Sequence, residues 1–393
     1  MYWNKDTKTV SLSPADLQVM RQCGMSFSEI PQGSPDGSRI PPLWTLLSYH
    51  LLYNGLSSPG SARIWRQYRR GSLLAKERDL HYRPAALPKK DGSARPLHVP
   101  DREIAQHQRF ILRSILECIP VSSCAFAYRQ GVSAADCARP HLRQETLIHL
   151  DLRNFFGSIT EDTVFRCLLR DTGYSRQLVG FLARICCYRG RLPQGACTSP
   201  VLSNICFRAC DDALQTYAES CGLVYTRYSD DIYLSGHITD AGAVIRTAES
   251  ILRQHGFTLN REKTRVLPRN TQQRVLGITV NDKLQVSRAY RDALRQELHY
   301  LRRYGADARA AAAAPDFLHY LYQLQGRISY VLSVDPDSAS FQQAKEYVCS
   351  LIGAAEEDAY HSWLAQDNYG TFRDWKWYSF HPASYPAPEE YAH

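Results

Sequence analysis

The spacing of apolar positions switches repeatedly between a period of two and one near 3.6, and each switch predicts an element. Gly222 to Leu234 is rich in aromatic and β-branched residues, interrupted around Ser229-Asp230-Asp231. It predicts two short strands joined by a tight turn, with two adjacent aspartates at the turn. Leu147-Ile148-His149-Leu150-Asp151-Leu152 predicts a buried strand ending in a carboxylate, followed by a turn over Asn154 to Ile159 and a helix from about Glu161. Leu87 to Pro100 reads as a hairpin around Lys90-Asp91-Gly92. Residues 101–118 carry Ile104, Phe110, Ile111 and Ile115 on an amphipathic helix. The Pro- and Gly-containing loop from Arg191 to Asn204 feeds a helix over Ile205 to Ala218. Ser287 to Arg303 and Asp316 to Leu332 read as helices joined through the alanine-rich run 306–314. Near the N-terminus, helices are expected from Ser13-Pro14 to Arg21, over Pro42 to Tyr53 and over Ser61 to Arg70, with a loop at 32–38.

At 393 residues the chain exceeds one ordinary core, so two or three domains are expected, and its 44% hydrophobic residues suffice to build them. The net charge of +8 is modest, and its distribution says more. Arg63, Arg66, Arg69 and Arg70 surround Trp65 and Tyr68, a pattern that suits either a nucleic-acid surface or a packing helix. Arg288, Arg291, Arg295, Arg302 and Arg303 give the 287–303 helix one basic face, while Leu294, Leu298 and Leu301 form another. The 12 cysteines include no Cys-x-x-Cys pair and read as buried apolar side chains in a reducing compartment. No run approaches the roughly 18 apolar residues of a membrane span, and Met-Tyr-Trp-Asn-Lys-Asp lacks an apolar signal core. A cytoplasmic protein with no membrane partner is expected. From Glu356 the composition shifts: Trp363, Tyr369, Phe372, Trp375, Trp377, Tyr378 and Phe380 crowd a tail that could stack on bases, dock a partner or fold back.

Two neighbouring carboxylates at a buried strand end repel each other and lose water, and a divalent cation removes both penalties. Mg²⁺ takes hard oxygen ligands, commonly one or two carboxylates plus substrate phosphates. Asp151 with Asp230 and Asp231 would form a three-carboxylate constellation on adjacent strands. A two-metal nucleotidyl transferase needs that arrangement. The cations of the Leu87–Pro100 hairpin suit a triphosphate.

These pieces occur together and in order over about residues 85–335, and as a set they resemble reverse transcriptases: the Lys-rich hairpin with Arg95, Asp151 with Phe155-Phe156, Leu192-Pro193-Gln194-Gly195 with Ser199-Pro200, Tyr228-Ser229-Asp230-Asp231, Asn260 with Lys263, and Leu276-Gly277. Within that class the chain looks most like bacterial retron enzymes, through Ile185-Cys186-Cys187-Tyr188, the run from Gly222 to Asp231, and Gly326 to Asp335. It departs from them at three places. The Asn-Ala-x-x-His element associated with RNA recognition is Cys137-Ala138-Arg139-Pro140-His141, the Val-Thr-Gly element is Val275-Leu276-Gly277, and Ser229 stands where Ala is usual.

The resemblance implies an α/β right-hand polymerase with fingers, a palm bearing an antiparallel sheet, and a helical thumb. The expected division is 1–84 N-terminal extension and part of the fingers, 85–278 fingers and palm, 279–350 thumb, and 351–393 tail. Asp151, Asp230 and Asp231, with the carbonyl of Leu152, would bind two Mg²⁺ (Mn²⁺ being an alternative), and Lys263 would be the general acid for the leaving pyrophosphate. Lys89 or Lys90 with Arg95 would meet the phosphates, and Gln194 and Gly195 would line the nucleotide pocket. Phe156 would exclude the ribose 2′-OH, while Phe155 belongs to the core. His141, Gly277 (in a primer-grip turn), Arg288, Arg291 and Arg295 would contact nucleic acid. The implied partners are dNTPs, a structured noncoding RNA with its DNA product, and a separate effector protein in anti-phage defence. A defence-associated reverse transcriptase with another RNA or priming mode, and a catalytically dead nucleic-acid scaffold, are the competing readings.

Overall fold

The computed structural model describes residues 2–4, 9–11, 75–88, 92, 94–172, 174, 176–305 and 317–365. The helices expected at 13–21, 42–53 and 61–70, Lys89 and Lys90, the alanine run and the tail beyond Ala365 lie outside them. The chain divides between Gln273 and Arg274 into two compact units.

In the first unit, β1 (Tyr2–Asn4) and β2 (Thr9–Ser11) form a small antiparallel pair. The expected hairpin is present as β3 (Tyr82–Pro88) and β4 (Ala94–Pro100), pairing from Tyr82 opposite Pro100 to Pro88 opposite Ala94. A two-stranded ribbon has only edges, which is why it tolerates several prolines. Helix α1 (Arg102–Ser114) is capped by Asp101, whose carboxylate accepts from the Ile104 N–H at 2.9 Å. It stops short of the expected 118: Ile115 leaves the helical region and Leu116–Cys118 forms a 3-10 turn. A one-turn helix α2 (Ala134–Ala138) precedes β5 (Thr146–Asp151). Then come α3 (Phe155–Ser158), α4 (Glu161–Thr172), α5 (Arg176–Cys186) and α6 (Ser199–Ser220). Helix α6 begins at Ser199 rather than Ile205, because Pro200 fits the first turn, where no N–H is required.

The remaining strands are β6 (Val224–Tyr228), β7 (Asp231–Gly236) and, after helix α7 (Ala241–Gln254), β8 (Arg265–Pro268). With β5 they make a four-stranded antiparallel sheet in the order β6-β7-β5-β8. Side chains alternate across it. Ile148, Leu150, Tyr225, Ile232 and Leu234 enter one core with Phe207 and Leu214 of α6 and Ala248 and Leu252 of α7. The same alternation sends His149, Asp151, Asp231 and Tyr233 to the opposite face.

In the second unit, β9 (Arg274–Val275) and β10 (Ile278–Thr279) are joined by Leu276 at φ 52° and Gly277 at φ 80°, two left-handed residues in succession as a type I′ turn requires. Helices α8 (Arg288–Tyr304), α9 (Phe317–Val334) and α10 (Ala339–Leu364) follow. Helix α10 runs through the expected 350/351 boundary, since Phe341, Ala344, Val348, Ile352 and Glu356 keep a helical spacing of buried positions. Glu356 accepts a hydrogen bond from the Tyr322 hydroxyl of α9, so the change in composition there does not end the helix.

Candidate active site

Strand register brings the first two acids together. Asp151, the last residue of β5, lies opposite Asp231, the first of β7. Ser229 and Asp230 form the two-residue turn between β6 and β7, with Ser229 at φ 59°. The Leu152 N–H donates to the Asp230 carbonyl at 3.0 Å, tying the turn to the end of β5. Burial, followed by the charges of Asp231 and Asp151, raises the Asp230 carboxyl above the ordinary carboxylate range.

A buried ion pair holds this turn from behind. Arg227 and Asp211 are both fully buried, and the guanidinium grips the carboxylate by two bonds of 2.8 and 2.7 Å. The Tyr225 hydroxyl donates to the same carboxylate at 2.7 Å, and Arg227 donates to Asn204 Oδ1 and to the Ser229 carbonyl, both at 3.1 Å. The guanidinium also lies 4.4 Å from the centre of the Phe207 ring. Helix α6 thereby fixes the backbone of the turn.

On the open side, Lys263 donates to Asp151 Oδ2 at 2.9 Å and Asn260 Nδ2 to Oδ1 at 3.0 Å, while the Asn260 N–H donates to the Asp151 carbonyl at 2.8 Å. The bond to Asp151 raises the Lys263 ammonium above its usual range. His149 Nε2 lies 2.6 Å from Asp231 Oδ1, with its ring stacked on Tyr233 at 4.8 Å. Lys263 is thus brought to the acids. In sequence, His149 alternates like any strand residue, and nothing local marks it as a partner of Asp231.

The model for the family described as "Reverse transcriptase (RNA-dependent DNA polymerase)" matches residues 87–280. The chain is 35% identical over 283 residues to the Retron Mx65 reverse transcriptase of Myxococcus xanthus, covering 67% of this chain and 64% of that protein. It is 30% identical over 285 residues to the Retron Ec86 reverse transcriptase of Escherichia coli, covering 71% of this chain and 84% of that protein. The chain belongs to the retron reverse transcriptase family. Among solved structures, apo telomerase from Candida tropicalis aligns over 85% of this chain and 64% of its own, at 11% identity and a TM-score of 0.45.

Reverse transcriptases depend on divalent metal ions, and the chemistry of this donor set fits one. Asp151, Asp230 and Asp231 offer only hard oxygen donors, and a cation would relieve the penalty that raises the Asp230 carboxyl. Among the described residues no three His, Cys, Asp or Glu side chains already converge as a metal cage. Asp151 lies against Lys263 and Asp231 against His149. A cation would compete with these two side chains for the carboxylates.

Phe156 is half-buried at the start of α3, 5.4 Å from Phe155 between ring centres, and Phe155 packs into the core against Phe207 and Phe257 as expected. Arg95 is exposed on β4. The Gln194 carbonyl accepts from the His98 N–H at 2.7 Å, and at Gly195 (φ 125°) an added Cβ would meet the His98 carbonyl at 2.7 Å. The close approach that Gly195 permits is therefore to the hairpin backbone.

His141 is a correction. It is fully buried, with Nδ1 2.6 Å from Ser235 Oγ and Nε2 2.7 Å from Thr226 Oγ1, and burial lowers it to about 3. Cys137, likewise fully buried, has Sγ 3.3 Å from the same Thr226 hydroxyl. Both positions of the element expected to meet RNA are spent on packing beneath β6 and β7, out of reach of a nucleic acid.

In the second unit the basic helix is only partly free. Arg288 and Arg295 both pair with Asp292, and Arg295 and Arg302 lie over the rings of Phe341 and Tyr347. Arg291 Nη2 reaches Gln285 at 3.5 Å. Gly277 sits in the I′ turn already described. No helix among the described residues is long and apolar enough to cross a membrane.

Proposed function

We propose that this chain copies RNA into DNA by a two-metal nucleotidyl transfer centred on Asp151, Asp230 and Asp231. The observation that carries the reading is the register of β5 and β7, which sets Asp151 opposite Asp231 beside the Asp230 turn. Two Mg²⁺ ions, or Mn²⁺, bound by these acids and the Leu152 carbonyl would lower the pKa of the attacking hydroxyl and neutralise the leaving pyrophosphate. Lys263, whose ammonium stands against Asp151, gives its proton to the pyrophosphate as general acid. Arg95 with Lys89 or Lys90 on the hairpin holds the triphosphate, beside Gln194 and Gly195. Phe156 closes against the 2′ position of the sugar, the feature that separates RNA from DNA nucleotides. Arg288, Arg291, Arg295 and the Gly277 turn follow the duplex backbone, a contact that weakens with salt.

In this reading the fingers and palm span 85–278 and the thumb 279–350, with the N-terminal 84 residues and the segment 351–393 flanking them. The template is a cognate structured noncoding RNA, a 2′-OH of that RNA primes synthesis, and the product is a branched RNA–DNA molecule used in anti-phage defence with a separate effector. Leu276, in place of the usual Thr, favours a second reading in which the RNA or the priming mode differs. The test is made in cells expressing the gene with its native flanking DNA. Total nucleic acid is treated with RNase and resolved on a denaturing gel beside the Asp230→Asn/Asp231→Asn variant. A discrete short DNA that shifts on debranching and vanishes in the variant supports retron synthesis. Long unbranched DNA supports the second reading, and no DNA at all leaves a binding scaffold.

A further inference from the structure

Tyr128 has no place in the assignments above, yet it sits where they meet. Its hydroxyl is 2.9 Å from Ser229 Oγ in the catalytic turn, and its ring centre is 6.5 Å from that of Phe156. The backbone there is strained: Tyr128 holds φ 61°, a left-handed value that is rare for an aromatic residue. Such strain persists only where the surroundings fix it, and here they do. Ala125 bridges Arg227 in parallel, the Phe126 N–H donates to the Arg227 carbonyl at 2.9 Å, and Asn204 Nδ2 donates to the Ala127 carbonyl at 2.8 Å. Arg129 folds back onto the Ala125 carbonyl at 2.9 Å. The segment is thus built onto β6 and α6, and it presents Tyr128 with 43% of its surface exposed. A large aromatic side chain left that open at the end of so constrained a segment is not serving the core.

We propose that Tyr128 is a positioning residue for sugar selection: its phenol, anchored on the Ser229 hydroxyl, couples the catalytic turn to the Phe156 ring and so fixes where that ring meets the incoming nucleotide. The inference rests on the polymerase reading and on Phe156 as the sugar gate. The anchor requires a hydroxyl on each partner, so either can be removed while the other is kept. Tyr128→Phe keeps the ring and its backbone demand, and Ser229→Ala removes only an oxygen.

The experiment uses the full chain with an RNA template and an annealed DNA primer. Single-nucleotide extension is measured with dNTP and with rNTP, for the unaltered protein, each single variant and the double variant. Tyr128→Phe and Ser229→Ala should each lower the preference for dNTP by about 3- to 10-fold, the size of one hydrogen bond. The double variant should be no worse than either single one, since both remove the same bond. If both variants slow dNTP and rNTP use equally and leave the ratio unmoved, Tyr128 is merely structural and the proposal is overturned. Additive losses would also overturn it, because the two groups would then act separately. If the unaltered chain extends no primer, the polymerase reading fails as well; extension with an unmoved ratio defeats this proposal alone.

Discussion

Replacing Arg227 by methionine tests whether the ion pair behind the Ser229–Asp230 turn organises the first unit. Both partners are fully buried, so salt does not screen them. The substitution removes two bonds to Asp211, one to Asn204 and one to the Ser229 carbonyl. It strands the Asp211 carboxylate with Tyr225 as its remaining partner. Removing one member of a buried pair costs about 3–5 kcal/mol. The double variant Arg227→Met/Asp211→Leu removes the stranded charge and leaves the Tyr225 hydroxyl, Asn204 Oδ1 and the Ser229 carbonyl to be satisfied, a residual loss of about 2 kcal/mol. Urea unfolding followed by far-ultraviolet circular dichroism should therefore rank the midpoints: unaltered protein highest, double variant between, Arg227→Met lowest. The order should be the same in low and high salt. A single-variant loss below about 1 kcal/mol, or a double variant as damaged as the single, would refute the reasoning. It would show that the pair is solvated or that the turn is held by other contacts.

Gly195→Ala places a Cβ 2.7 Å from the His98 carbonyl at a φ of 125°, so it should destabilise by about 2 kcal/mol and raise KM for dNTP through displacement of the hairpin, read by urea midpoint and by steady-state kinetics. His141 is neutral when folded down to about pH 3 but protonates near 6.5 when unfolded. Its contribution is therefore present above pH 6.5 and is lost, at about 1.4 kcal/mol per pH unit, as the pH falls toward 3. His141→Gln should flatten the acid limb of a stability–pH curve, and an unchanged limb would count against a neutral buried ring. Leu276→Asn should stabilise the second unit by about 1 kcal/mol, because asparagine tolerates the left-handed conformation that leucine resists. A thermal melt that fails to rise would show that the leucine side chain offsets its backbone strain.

Local signals survive in one dimension, and they carried the four-stranded sheet. The alternation of Leu147 to Asp151 and of Val224 to Gly236 dictated strands, and an acid or a tight turn at their ends dictated where the carboxylates had to be. The Lys-Asp-Gly turn marked the hairpin, and the leucine stripe of residues 287–303 marked α8. Boundaries were less legible. Ile115 ended α1 early, Ser199 opened α6 early and α10 ran past residue 350, because capping and packing rather than composition set helix ends. What no local pattern contained was which side chains meet across the chain. His141 finds Ser235 at a separation of 94 residues, and Tyr128 finds Ser229 at 101. Arg227 finds Asp211 only because α6 packs on β6. A histidine inside the sheet and one at its surface have the same neighbours in sequence. They differ only in the register and layering that decide whether water, RNA or a hydroxyl lies within reach, and those are properties of the assembled fold.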